Sequence, residues 1–425
     1  CDCRRRIKYE GKGIIRKVLE ASMHYVKFPR VFVIVCDSLG IGAAPDADRY
    51  ADSGADTLGH CARACGHLDL PALNSIGMGD INPFLGSSIT PHQHSFSARL
   101  QEASVSKDTL TGHWEMMGIV TDHPFKLFTH EGFPKSLKDE FAQQVKVPVK
   151  YLASYSGTQA IHDYGQWALE NKGLIVYTSG DSVFQIAAHE EVIPAEKLYE
   201  YCRIARKLCD LPEYHLGRVI ARPFIGETPD TFHRVMADRR DLSHTPTKHT
   251  YMSLLAEAGY TTYCIGKTCD IFSMVGVTKG EHTTSNADGM EKTIQQVVDG
   301  KWGGLCFTNL VAFDSEYGHR RDPIGYGKCL EEFDSYLYKM MLAMHQDDLL
   351  IITGDHGNDP TFQGTDHTRE YVPFLAYSKS FKHGRKLADR HTFADLGRTI
   401  FANFGMTKVD DLAGDPITEL LEQEI

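Results

Sequence analysis

The amino-acid sequence predicts an α/β protein, and three observations carry that expectation. Short apolar runs rich in β-branched residues, VFVIVCD (Val31 to Asp37), LCFTNLVAFD (Leu305 to Asp314) and DLLIITGDH (Asp348 to His356), read as parallel strands buried on both faces. Stretches with helical periodicity, KLYEYCRIARKLCD, KHTYMSLLAEAGY and EEFDSYLYKMMLAMHQ, alternate with such runs. Each of the three strands also hands an aspartate to the loop that follows it, at the edge where open α/β sheets place their sites.

Taken in order, CDCRRRIKYEGKGIIRKVLEAS precedes Met23 and has neither the apolar core of a signal peptide nor a membrane span. Residues 1–29 are read as an amino-terminal extension, with Cys1-x-Cys3 taken as part of a terminus rather than as a metal site. The strand Val31–Asp37 runs into the glycines of SLGIGAAPDA. SKDTLTGHWEMMG (Ser106 to Gly118) is neither clearly strand nor clearly helix, and a loop there would expose a hydroxyl. Between residues 122 and 245 the pattern changes, and this segment is read as an inserted, smaller second domain interrupting a core of residues 30–121 and 246–425. Within it Leu174 to Thr178 is a strand leading to Ser179 and Asp181, and RVIARPFIGETPDTFHRVMADRRD concentrates arginine. Arg239 and Arg240, beside Asp238 and Asp241, read as a solvated charge run. LCFTNLVAF, Leu305 to Phe313, is expected to be strand throughout, putting Asp314 at its end and His319 in the loop. TFADLGRTIFANFG is expected to open with a capping box from Thr392 to Asp395 and to stop at Gly405.

Composition narrows the function classes. Of 425 residues 42% are hydrophobic, enough for full cores, and 45 Lys plus Arg against 56 Asp plus Glu give −11, which argues against a nucleic-acid partner. The 11 cysteines contain no CxxC pair, so neither a disulfide framework nor a zinc ribbon is expected, and a reducing cytoplasm fits. A monomer is the default, since a cap must swing freely. Nucleotide loops fail on their glycines: IGKT lacks the earlier Gly, which would fall at Thr261, and GIGAAP lacks the third Gly of a dinucleotide fingerprint.

The chemistry concentrates in GDHGNDPTFQGTDHTREYVP, Gly354 to Pro373, whose loop carries two Asp-His pairs. Carboxylates mixed with imidazoles suit Mn²⁺ or Zn²⁺ better than Mg²⁺ or Ca²⁺. The strand-end residues supply two ligand sets, Asp37 with Asp355 and His356, and Asp314 with His319 and His367. Spacing alone leaves this grouping open, because the strand order is not in the sequence. A threonine becomes a useful nucleophile once its proton is lost, and a metal can achieve that. Thr109 and Thr111 in KDTLTGH are candidates, and Thr57 in ADTLGH is a third.

From VIVCDSLGIGAAPDA through KDTLTGHWE and YGHRRD to GDHGNDPT and GTDHTRE, the chain resembles the phosphopentomutase family of the alkaline phosphatase superfamily, from about Arg30 to the carboxyl end. The resemblance implies an alkaline-phosphatase-like core sheet with helices on both faces, a mobile inserted cap, and two Mn²⁺ ions flanking a phosphorylated threonine, placed by the motif at Thr109. It implies Asp37, Asp355 and His356 with Thr109 around one ion, and Asp314, His319 and His367 around the other. It further implies pentose phosphates as substrates, interconverted through a bisphosphate, with glucose 1,6-bisphosphate or ribose 1,5-bisphosphate as activator. The cap would then hold the sugar and its second phosphate, with Ser179 and Asp181 on hydroxyls and Arg218, Arg222 and Arg234 as candidate phosphate forks. Ala312 and Gly354 depart from the family's usual residues at positions that are not ligands.

Overall fold

The computed structural model describes residues 26–422 apart from positions 90, 130, 180, 181 and 365, so Asp181 and the Cys1-x-Cys3 pair lie outside the described residues. The chain lays down β1 (Arg30–Cys36) and β2 (Ser95–Leu100), and then builds β3 (Val149–Ser154), β4 (Leu174–Thr178), β5 (Val183–His189), β6 (Arg218–Ile225), β7 (His233–Arg234) and β8 (Arg240–Ser243). It closes with β9 (Thr261–Ile265), β10 (Lys279–Glu281), β11 (Gly304–Leu310), β12 (Asp348–Thr353), β13 (Val372–Tyr377) and β14 (Arg385–Lys386).

Two sheets result. The larger has the order β10-β9-β11-β1-β12-β13-β2-β14, and the smaller, β3-β4-β5-β6-β7 with β8 on β6, is formed wholly between residues 149 and 243. In the larger sheet β9, β11, β1 and β12 are mutually parallel, while β13 runs antiparallel to β12 and to β2. This is a mixed α/β fold, as the alternation of strands and helices in the sequence predicts.

The absence of polar alternation in β1 has a direct structural cause. Val31, Val33 and Val35 point into one apolar core, while Phe32, Ile34 and Cys36 point into another on the opposite face. Each such side chain removed from water stabilises by roughly 1.5–3 kcal/mol, so a polar residue on either face would be costly. At the amino end of this central strand Arg30 forks onto the buried Asp348 at the start of β12, at 2.7 and 2.6 Å. The functional edge is the other end.

Three expectations are corrected. The strand from Leu305 stops at Leu310, and Phe313–Gly318 is a π-helical turn, so Asp314 sits four residues beyond the strand. The helix near the carboxyl end spans Ala394–Asn403, and Thr392 Oγ1 accepts from Ala394 N while Asp395 receives Asp415 N and Arg390 Nε. A capping box between Thr392 and Asp395 is therefore not formed. Arg239 is not part of a solvated run, because β8 pairs with β6 and carries Asp241 inward, where the Arg239 guanidinium grips it at 2.7 Å twice.

Among the described residues every cysteine is free and, Cys65 apart, buried. No helix among them is long and apolar enough to cross a membrane.

Candidate functional site

β11, β1 and β12 are neighbours, with Leu310 paired to Cys36 and Val35 to Thr353. Their carboxyl ends therefore deliver Asp314, Asp37 and the Asp355-His356 pair to one place. His356 Nε2 lies 3.5 Å from Asp37 Oδ1 and 3.5 Å from Asp355 Oδ2. Next to it, Asp314 reaches His319 Nε2 at 3.2 Å and His367 Nε2 at 3.7 Å, and the two imidazoles approach each other to 3.2 Å. The His356 and His367 rings stack with centroids 3.9 Å apart. Geometry suited to a cation is present twice, at Asp37, Asp355 and His356 and at Asp314, His356 and His367, so His356 faces both positions.

The hydrogen bonds around these rings set their chemistry. His356 Nδ1 meets Gly357 O at 3.0 Å and His367 Nδ1 meets Lys107 O at 2.9 Å. A carbonyl only accepts, so each Nδ1 carries a proton, and Nε2 is the nitrogen left facing the acids, the one that would bind a metal once free of its proton. Asp37 Oδ1 and Asp355 Oδ2 are buried and accept no hydrogen bond among the described residues. Burial, and then the Asp355 charge, push the Asp37 carboxyl well above its usual range. Burial also works to raise Asp355, but His356, His113 and the Ser38 N–H hold it down at about 2. At Asp314 burial is outweighed by His319 and His367, and the carboxyl lies well below its usual range. Buried acids with orphaned oxygens beside imidazole lone pairs are the donor set that borderline divalent cations select, so these residues fit metal ions.

The segment with Thr109 and Thr111 is a helix, Thr109–Met116, and not a loop. Asp108 caps it, accepting from Leu110 N and Thr111 N, and Thr109 opens the first turn, at the positive end of the helix dipole. Thr109 Oγ1 lies 3.2 Å from His356 Nε2. The Thr111 hydroxyl is bound to Asp108 Oδ2 at 2.7 Å, and the Thr57 hydroxyl to Glu370 Oε1 at 2.7 Å. Of the three candidate hydroxyls, Thr109 alone faces the imidazoles.

Several residues of the site were not foreseen. Buried His113 bonds Thr109 O through Nδ1 at 2.9 Å, and the same nitrogen lies 3.2 Å from Asp355 Oδ2, which sets the helix beside the acid. The Asn309 amide lies 3.0 Å from Asp37 Oδ2 and 3.3 Å from His113 Nε2, and Asn358 donates to Asp314 Oδ1 at 2.8 Å. A cavity of about 190 Å³ opens beside Thr109, lined among others by Lys107, Lys267 and His367 of the larger sheet's loops and by Phe125, Ser182 and Arg218 of the inserted segment. Of the expected cap residues, Arg218 thus reaches the cavity. Ser179, Arg222 and Arg234 do not line it. Arg222 holds Gln185 Oε1 at 3.1 Å, and burial followed by Arg239 lowers its guanidinium to about 10. Arg234, on β7, pairs with Phe224 of β6. Arg222, Arg234 and Arg239 all bear on the buried Tyr177 phenol, two residues before Ser179.

Sheet, ligand set and helix-borne hydroxyl together define a metal-binding α/β protein. The model of the metalloenzyme superfamily matches residues 29–408 of the 425, and the chain belongs to that superfamily. Among solved structures, phosphoglycerate mutase of Leishmania mexicana is 10% identical over 91% of this chain and 97% of its own, with a TM-score of 0.46. A protein of Pyrococcus horikoshii is 11% identical over 90% and 99%, also at 0.46. A Vibrio parahaemolyticus protein in the alkaline phosphatase superfamily is 12% identical over 98% and 80%, at 0.43.

Proposed function

We propose that the chain is a phosphopentomutase, interconverting ribose or deoxyribose 1-phosphate and 5-phosphate through phosphorylated Thr109. The observation that carries this reading is the Thr109 hydroxyl, placed at a helix start 3.2 Å from His356 Nε2 while Thr57 and Thr111 are tied elsewhere.

Asp37, Asp355 and His356 would hold one ion beside Thr109, and Asp314, His319 and His367 the other, with Mn²⁺ as the metal of the resemblance. When bound, such ions neutralise charge on the transferring phosphoryl group and favour the alkoxide. The chain's own groups do the rest. The first turn of Thr109–Met116 puts the positive end of the helix dipole toward the anion, and His113 sets that turn beside Asp355. Lys107, Lys267 and Arg218 supply positive charge around the cavity in an otherwise acidic protein. Phosphorylated Thr109 gives its phosphoryl group to the free hydroxyl of a pentose monophosphate: the bond from phosphorus to Thr109 Oγ breaks and one to the sugar oxygen forms. The bisphosphate turns over and returns its other phosphate to Thr109. A bisphosphate activator, glucose 1,6-bisphosphate or ribose 1,5-bisphosphate, loads the threonine first. The inserted segment 122–245 acts as a cap that excludes water, the competing acceptor, with Asp181 on a sugar hydroxyl and Arg218 on the second phosphate; Ser179, Arg222 and Arg234 would join them only by a movement of the cap toward the cavity. The enzyme acts on small pentose phosphates as a cytoplasmic monomer.

Phosphorus NMR of the protein with Mn²⁺, a trace of glucose 1,6-bisphosphate and ribose 1-phosphate tests this. Growth of ribose 5-phosphate with little inorganic phosphate is expected. Release of inorganic phosphate as the main product would reassign the chain as a phosphatase.

A further inference from the structure

Arg369 is the largest fully buried side chain among the described residues, at 2% exposure, two positions beyond His367. A guanidinium has five N–H donors, and all five are used here. Nη1 donates to Glu102 Oε2 at 2.7 Å and to Ser106 O at 2.8 Å. Nη2 donates to Glu102 O at 2.7 Å and to Asp46 Oδ2 at 3.0 Å, and Nε donates to Asp46 Oδ1 at 3.2 Å. The Tyr50 ring covers the guanidinium at 4.9 Å.

Two of these acceptors are backbone carbonyls of one strap, residues 102–108, which leads straight into Thr109. The connection continues along that strap. Ser106 Oγ donates to Asp108 Oδ2 at 2.6 Å, and Asp108 caps the helix that Thr109 opens. His367 Nδ1 donates to Lys107 O in the same strap, and Arg369 N and Lys107 Nζ share Asp52 Oδ2 at 2.8 Å each. The segment bearing His367 and the segment bearing Thr109 are thus fastened side by side, and Arg369 is not among the residues that line the cavity beside Thr109.

We infer that Arg369 is a positioning residue for phosphoryl transfer, setting Thr109 against the imidazoles through the 102–108 strap. The inference rests on the functional reading above. A planar fork with five fixed donors can hold two carbonyls and two carboxylates in one geometry, whereas a lysine ammonium keeps the charge and offers three donors from a point.

The test is Arg369→Lys in the full chain loaded with Mn²⁺, measured in two ways. Amide hydrogen exchange over residues 103–111 should quicken about tenfold or more, with the 348–357 segment unchanged. The rate at which glucose 1,6-bisphosphate phosphorylates Thr109, followed by mass spectrometry, should fall about 100-fold while the concentration for half-maximal rate changes less than about threefold, as about 1 Å of misplacement implies. A merely structural role would lower the folded fraction and leave the rate per folded molecule alone. Unchanged exchange, or quickened exchange with an unchanged rate, overturns the inference. Absence of phosphothreonine in the parent protein overturns the functional reading, and the positioning role with it. Should Arg369→Lys fail to fold, Glu102→Gln keeps Arg369 and weakens its grip on the strap, and the same two readouts should move in the same directions by a smaller factor; their failure to move overturns the inference equally.

Discussion

Gly112 stands on the buried face of the helix Thr109–Met116, one turn from the nucleophile, and a Cβ built there would lie 2.2 Å from the Asp355 carbonyl oxygen and 3.1 Å from Asp355 Cβ. Ordinary contact begins at 3.4 Å, so Gly112→Ala must drive the helix away from the metal-ligand loop by more than 1 Å. Two opposing effects bear on stability. Alanine favours a helix interior over glycine by roughly 0.5–1 kcal/mol, and overpacking costs typically about 1–3 kcal/mol. The variant should therefore fold, with a net loss of about 0–2.5 kcal/mol by urea unfolding. Its activity should suffer far more, because displacing Thr109 by about 1 Å from His356 costs on the order of 100-fold in rate. The assay pairs urea unfolding with steady-state turnover of ribose 1-phosphate. A variant with wild-type turnover would show that the close approach of this helix to Asp355 does not set the reacting geometry.

Thr109→Ala should abolish phosphoenzyme while leaving two bound Mn²⁺ per chain by metal analysis; a variant that still turns over would move the nucleophile to another hydroxyl. Removal of metal by a chelator should lower the unfolding temperature, and Mn²⁺ at about 100 times its Kd should restore about 2.7 kcal/mol for each of the two sites; an unchanged melting curve would contradict the fit of the buried acids to cations. Asp241 provides the pH test. Burial works to raise its carboxyl, but Arg239, with Arg218 and Arg222, holds it at about 2 against an ordinary 3.8. A depressed folded-state value means stability that is present above 3.8 and lost as the pH falls toward 2, worth about 2 kcal/mol. The gap in unfolding free energy between the protein and Asp241→Asn should narrow by that amount over the window, and a constant gap would count against the pair.

How far the site could be read in advance depended on whether a residue's surroundings were local. Asp37 and Asp355 were legible because each ends a run that is apolar on both faces, and such a run has few interpretations other than a buried strand. The adjacency of β11, β1 and β12 was not, since strand order is set by long-range packing. Asp314 was found for a partly wrong reason: the apolar run continues through Val311, Ala312 and Phe313, but the chain has already left the sheet into a π-helical turn. Arg239 was misread because its sequence neighbours are charged, while its fate is decided by the pairing of β8 with β6. His113, Asn309 and Asn358 left no signal, being a helical histidine and two amides whose partners are distant in the chain. The Gly354 departure is explained by packing, since a Cβ there would stand 2.5 Å from Leu39 O.

The position of β1 in the sheet has a consequence for how the molecule comes into being. β1 is paired with β11 and β12, which begin at Gly304 and Asp348, and β2 waits likewise for β13 and β14. During synthesis from the amino end β1 and β2 have no partners in the larger sheet until Gly304 and the residues beyond it are made, whereas the smaller sheet, complete by Ser243, pairs with no strand that follows it. Contacts of such high sequence separation are the slow ones to form. The half of the molecule that carries the chemistry is thus completed around a smaller domain that can already be in place.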